Sequence, residues 1–168
     1  MQSYSSFISA MPESTRVWVY QCNRDFSNDE LEQLNSKIKS FCLNWKAHGN
    51  SLDATYNVIF NRFIVLAVNE QNETASGCSI DSSVRFIKEL EKEFNVDFFD
   101  RLKVCYIDKN NQLKSFNFHH LFPLLNANEI NLETPVFNNM VTTKSEFVGN
   151  WLTPLRESWI APFIKAGV

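Results

Sequence analysis

A run of six apolar residues at 63–68 feeds a short polar segment and then residues 75–86, which read Ala-Ser-Gly-Cys-Ser-Ile-Asp-Ser-Ser-Val-Arg-Phe. No other passage constrains the fold as tightly, because a strand, a polar turn and a helix start follow one another without a gap. The turn spends one of only four glycines. The helix it opens runs to about residue 95, with Ile80, Val84, Ile87, Leu90 and Phe94 on its inner face and Lys88, Glu89, Glu91, Lys92 and Glu93 on its wet one. The first N–H groups of a helix have no partners inside it, and the helix dipole favours negative charge there. The start of this helix is therefore a place for an anion or a reactive thiol.

A chain of 168 residues fits a single domain that buries a core without disulfides or metal. Fifteen Phe and four Trp are the unusual part of the composition and predict a core dense in aromatic rings. A net charge of −3 with both signs interspersed offers no basic stripe for a phosphate backbone, so no nucleic acid is expected. The 63–68 run is far too short to cross a bilayer, so no membrane partner is expected. No basic segment followed by an apolar one stands at the N-terminus, so no secretory leader is expected. Cys22, Cys42, Cys78 and Cys105 are widely separated, without the paired spacing of zinc or redox sites. The expectation is a cytoplasmic protein with reduced thiols, no metal and no cofactor.

Taken in order, residues 1–14 carry little pattern and read as a loosely packed lead-in. Residues 16–22 form a strand of β-branched and aromatic residues. Ser27-Asn28-Asp29-Glu30 is a capping box, and Leu31, Leu34, Ile38, Phe41, Cys42 and Trp45 keep one face of the following helix apolar until Gly49. Residues 54–60 and 63–68 are strands joined at Asn61-Arg62; residues 103–107 and 112–118 are strands joined by an Asp-Lys-Asn-Asn turn. The order is that of a ferredoxin-like β-α-β-β-α-β core over residues 15–118, with one extra strand. Residues 119–168 read as a helical extension packed on that core. In it, a second capping box at Thr143–Glu146 opens one helix, and Thr153-Pro154 suits the start of another. The fold class is α+β in one domain spanning 1–168.

Two chemical readings attach to the turn. The backbone and hydroxyls of Gly77, Ser79, Asp81, Ser82 and Ser83, with Arg85 beside them, would bind a small anionic ligand, although Asp81 itself would occupy part of a helix N-terminus. Alternatively, Cys78 is a nucleophile with His48, at the end of the first helix, as its base and Asp108 as a third member. A third class of function is a homodimer through the aromatic C-terminal tail. His119-His120 is a vicinal pair whose side chains diverge in an extended segment, which argues against a metal. The phosphate-cradling G-x-x-x-x-G-K-[ST] loop is absent, as are G-x-G-x-x-G, G-x-S-x-G and H-E-x-x-H.

The segments Arg16-Val-Trp-Val-Tyr-Gln, Arg62-Phe-Ile-Val-Leu-Ala-Val, Gly77-Cys-Ser-Ile-Asp-Ser-Ser-Val-Arg-Phe and Phe137-Asn-Asn resemble a family of small uncharacterised bacterial proteins. Members are sometimes labelled "ABC transporter ATPase", a label that the absent phosphate loop does not support. The resemblance covers most of residues 16–163. It implies a compact cytoplasmic protein and brings no catalytic residues with it. A non-catalytic domain that binds a small ligand or a partner near residues 77–83 is the functional expectation.

Overall fold

A computed structural model of the chain describes residues 4–166; the first three residues of the expected lead-in and the last two of the expected extension lie outside them. The fold is mixed helix and sheet and divides into two compact units. The first comprises residues up to 99 together with 140–148, and the second 100–139 together with the chain from 149 onward.

In the first unit, β1 (Arg16–Gln21), β4 (Asp53–Ile59) and β5 (Phe63–Asn69) form an antiparallel sheet in the order β1-β5-β4. The six apolar residues of β5 are all 0% exposed, as a central strand covered on both faces must be. Its even-numbered residues, Ile64, Leu66 and Val68, join Tyr20 in a cluster under α1 (Asn28–Asn44) and α2 (Gly77–Phe94). From α1 come Leu34, Ile38 and Cys42; from α2 come Ile87, Leu90 and Phe94. Phe41 and Phe86 stack at 4.3 Å between centroids where the two helices meet. Burial pushes the Tyr20 phenol up, which the Ser83 hydroxyl of α2 partly offsets.

The expected capping box opens α1: the Ser27 hydroxyl accepts from the Glu30 N–H, and the Glu30 carboxylate accepts from the Ser27 N–H at 2.8 Å. Arg24 straps this start to the end of α2. Its guanidinium donates to both Glu30 oxygens, at 2.7 and 2.8 Å, and to the Phe94 carbonyl at 2.8 Å. Arg24 first, then the Ser27 N–H, pull the Glu30 carboxyl down to about 2. The helix ends at Asn44 rather than Gly49. Residues 45–52 instead turn through a small hairpin, β2 (Lys46–Ala47) with β3 (Asn50–Ser51), whose bend is His48 at φ 51° and Gly49 at φ 87°.

The lead-in is not loose over its described part. Ile8 is 0% exposed, and Tyr4 and Phe7 meet the Phe147 ring edge-on. Lys144, buried at 7% exposure, donates from Nζ to the carbonyls of Ser9 and Met11 at 3.0 and 2.6 Å and pairs with Glu13 at 3.0 Å. Thr143 and Glu146 open α4 (Lys144–Asn150) with half of the expected box: Thr143 Oγ1 accepts from the Glu146 N–H, but the Glu146 carboxylate reaches one residue further, to Thr142.

In the second unit, β6 (Lys103–Ile107), β7 (Leu113–Asn117), β8 (Pro135–Phe137) and β9 (Leu152–Pro154) form an antiparallel sheet ordered β7-β6-β8-β9. The fourth strand expected in the ferredoxin-like sheet, 103–107, therefore pairs in a different sheet. The place beside β1 is held instead by residues 141–143, with Arg16 bridging Thr143 and the Val17 N–H donating to the Thr142 carbonyl at 2.8 Å. Residues 119–166 are also not purely helical. Beyond α3 (Leu121–Asn126) they supply β8 and β9, and the helix expected at Thr153-Pro154 is strand there, with α5 (Ala161–Ala166) starting later. Val104, Phe116, Leu121, Val136, Leu155 and Ile160 form this unit's core.

Two outcomes follow from these anchors. Lys144→Met takes the buried ammonium from the carbonyls of Ser9 and Met11 and should cost about 1–3 kcal/mol, read as a lower Tm with faster amide exchange over residues 4–13. For Glu30, whose carboxyl is depressed on folding, the stabilisation is fully present above its ordinary value of 4.5 and is lost as pH falls towards about 2. The Tm difference between the native chain and Glu30→Gln should shrink over that interval.

Candidate functional site

Alpha2 begins at Gly77 itself, inside the segment expected to be a polar turn. Ser76 is the N-cap: its hydroxyl accepts from the Ser79 N–H at 3.2 Å, and its carbonyl accepts from the Ile80 N–H at 2.9 Å. The amides from Ser79 onward are thus consumed by the cap or the helix. The hydroxyls are spent as well, Ser79 on the Ser76 carbonyl, Ser82 on the Ser79 carbonyl and Ser83 on the Ile80 carbonyl, at 2.6–2.8 Å. Ser79 and Ser83 are buried, and the Ser79 carbonyl also accepts from Trp45 Nε1 at 2.8 Å. Gly77 is the first helical residue rather than a turn; its φ is not left-handed, and a Cβ there would meet nothing within 4 Å. Asp81 and Arg85 point to solvent.

Cys78 is the one exposed thiol of the four. His48 is exposed in the β2–β3 bend rather than at the end of a helix. Asp108 belongs to the second unit, where its carboxylate accepts from the Asn110 and Gln112 N–H groups at 2.8 and 2.9 Å and so shapes the β6–β7 turn. Burial pushes the Cys42 thiol up to about 12 and raises that of Cys22.

The second unit carries a groove that no local motif announces. It has a volume of about 440 Å³ and is lined by Asp100, Lys103, Ser115, Phe116, Asn117, His120, Pro123 and Leu124. Register builds its polar wall, since Lys103 stands opposite Asn117 and Cys105 opposite Ser115 across the β6–β7 ladder. Side chains at 103, 115 and 117 therefore share one face. The Asn117 Oδ1 accepts from the His119 N–H at 3.1 Å, capping the short helical turn Phe118–His120. With that oxygen engaged, the amide nitrogen is the end left to donate. Asp100 accepts from the Leu102 N–H at 2.9 Å in its own turn. The groove thus gathers an ammonium, a carboxylate, an amide, a hydroxyl and an imidazole beside Pro123 and Leu124, while Phe116, opposite Val104, turns to the core face of the ladder. Among the described residues no group of three His, Cys, Asp or Glu side chains is arranged to hold a metal ion.

No family model, no curated protein and no solved structure matches this chain. Sequence reasoning missed the groove because its residues are scattered over 25 positions and meet only through strand register. The available signal was the alternation of Ser115 and Asn117 with Phe116 in the second strand of the hairpin.

The thiols report on this geometry directly. In the folded chain a maleimide or disulfide reagent should titrate Cys78 alone, and all four cysteines after denaturation. Cys78→Ser should abolish the native reaction.

Proposed function

We propose that this chain is a non-catalytic binding protein for a small organic anion, held in the β6–β7 groove of the second unit. The observation that carries the reading is a groove lined by Lys103, Ser115, Asn117 and His120, with Asp100 among them and Pro123 and Leu124 beside them. A cavity of this size suits a small molecule, and such sites are typically apolar surfaces with a few convergent polar groups. A carboxylate or phosphate head would meet the donors, and a short hydrocarbon body would lie on Pro123 and Leu124. The turn at residues 77–83 supports an anion less well, because its amides beyond Cys78 and its three hydroxyls already have backbone partners.

A cysteine-dependent reaction is the second reading, favoured by the exposure of Cys78 in the first turn of α2. Its alkylation rate against pH tests it: a rate no faster than that of a free cysteine removes its basis. The tail-mediated homodimer has less to stand on, since Trp151 and Phe147 are each 0% exposed. A ferredoxin-like first unit is part of the proposed reading, supported by the β1-β5-β4 order with residues 141–143 beside β1. A cytoplasmic setting and the bacterial family resemblance complete the reading; among the described residues no helix is long and apolar enough to cross a membrane.

An amide-resolved NMR titration with short carboxylates and inorganic phosphate tests the binding site. The expected result is saturable shifts at Lys103, Ser115, Asn117 and His120, weakened at least ~10-fold, or about 1.4 kcal/mol, by Lys103→Met. Shifts confined to residues 76–80, or none anywhere, would overturn it.

A further inference from the structure

The groove of the second unit holds both signs of charge, with Lys103 and Asp100 among the same lining residues. Beside a plain anion the Asp100 carboxylate is a like charge, which costs affinity. Its position is set by the turn ahead of β6, where Asp100 accepts from the Leu102 N–H at 2.9 Å. Such a bond, from an N–H two residues on, is the usual Asx turn. It holds the carboxylate against the backbone of the residue just before Lys103.

Lys103 is the first residue of β6 and stands opposite Asn117, the last of β7. The ammonium, the amide and the carboxylate therefore gather at one end of the hairpin. From α3 come Pro123 and Leu124, an apolar border to the same groove. A cationic, an anionic and an apolar surface thus adjoin. In an α-amino acid the matching three groups diverge from a single carbon.

We infer that the ligand of this groove is an α-amino acid with a short apolar side chain. Its carboxylate meets Lys103 and Asn117, its ammonium meets Asp100, and its side chain lies on Pro123 and Leu124. The inference rests on the anion site proposed above and narrows it, the anionic head being one end of a zwitterion. A carboxylate has acceptor sites for several donors, so the bond from Leu102 is compatible with an ammonium. Asp100 is exposed, and an exposed pair is worth little, so its contribution is discrimination between ligands rather than tight binding.

Amide-resolved NMR titrations of the full chain with leucine, isocaproate and isoamylamine test this. Isocaproate is leucine without the ammonium, and isoamylamine is leucine without the carboxylate. Leucine should bind ~5-fold tighter than either, with shifts at Asp100 as well as Lys103 and Asn117. Asp100→Asn keeps an acceptor for the Leu102 N–H. It should abolish the preference, weakening leucine while isocaproate binds as well as before or better. Should that variant fail to fold, the three ligands on the native chain still decide. Either analogue matching leucine there, or a preference that survives Asp100→Asn, overturns the inference; isocaproate matching leucine leaves the anion site standing. No shift in the groove with any of the three, or with inorganic phosphate, overturns both.

Discussion

The complete burial of β5 is the constraint on which the first unit depends. Six consecutive apolar side chains leave no face for water, so the sheet must be covered twice. Alpha1 and α2 supply one cover, and their apolar stripes are visible at helical spacing. The ends of this unit are held by their own contacts: Ile8 is fully buried, Phe147 receives the rings of Tyr4 and Phe7, and Lys144 ties residues 9–13 down. A buried ammonium is tolerable there only because a carboxylate and two carbonyls surround it. Residues 141–143, on the β1 edge, belong to the same closing segment.

Local patterns in the sequence went far where local physics decides the outcome. The capping box at Ser27, the apolar stripes of both long helices, the β4–β5 hairpin and the Asp108 turn all stand close to where residue type places them. Asn61 does take the positive φ expected of it, although Phe60 shares it at φ 53°. What failed was non-local. Nothing within residues 103–107 says which sheet they join, because a strand's partner is chosen by surfaces far away in sequence. Three-residue strands such as β8 and β9 carry no periodicity to read. At the start of α2, four serines within eight residues made the cap ambiguous, and the geometry chose Ser76, leaving Ser79 to turn inward beneath Trp45.

That choice of cap changes the functional reading. Had Ser79 or Asp81 capped the helix, free amides would have gathered around Gly77; with Ser76 as cap they are the helix's own. Under the proposed reading the groove takes the place of that turn, because Lys103, Ser115 and Asn117 share one face there through register rather than by being neighbours in sequence. Its engaged Asn117 oxygen is the telling detail. A side chain whose acceptor is fixed by its own turn presents a donor in a defined direction, which is how a small site gains selectivity without a charged cluster.

Anomalous diffraction from crystals soaked in a short brominated carboxylate tests this account most directly. The account predicts a bromine peak over Pro123 and Leu124, with the carboxylate against Lys103 and Asn117. A peak instead at Gly77 and Cys78, or no ordered bromine in the groove under saturating soaks, would contradict it.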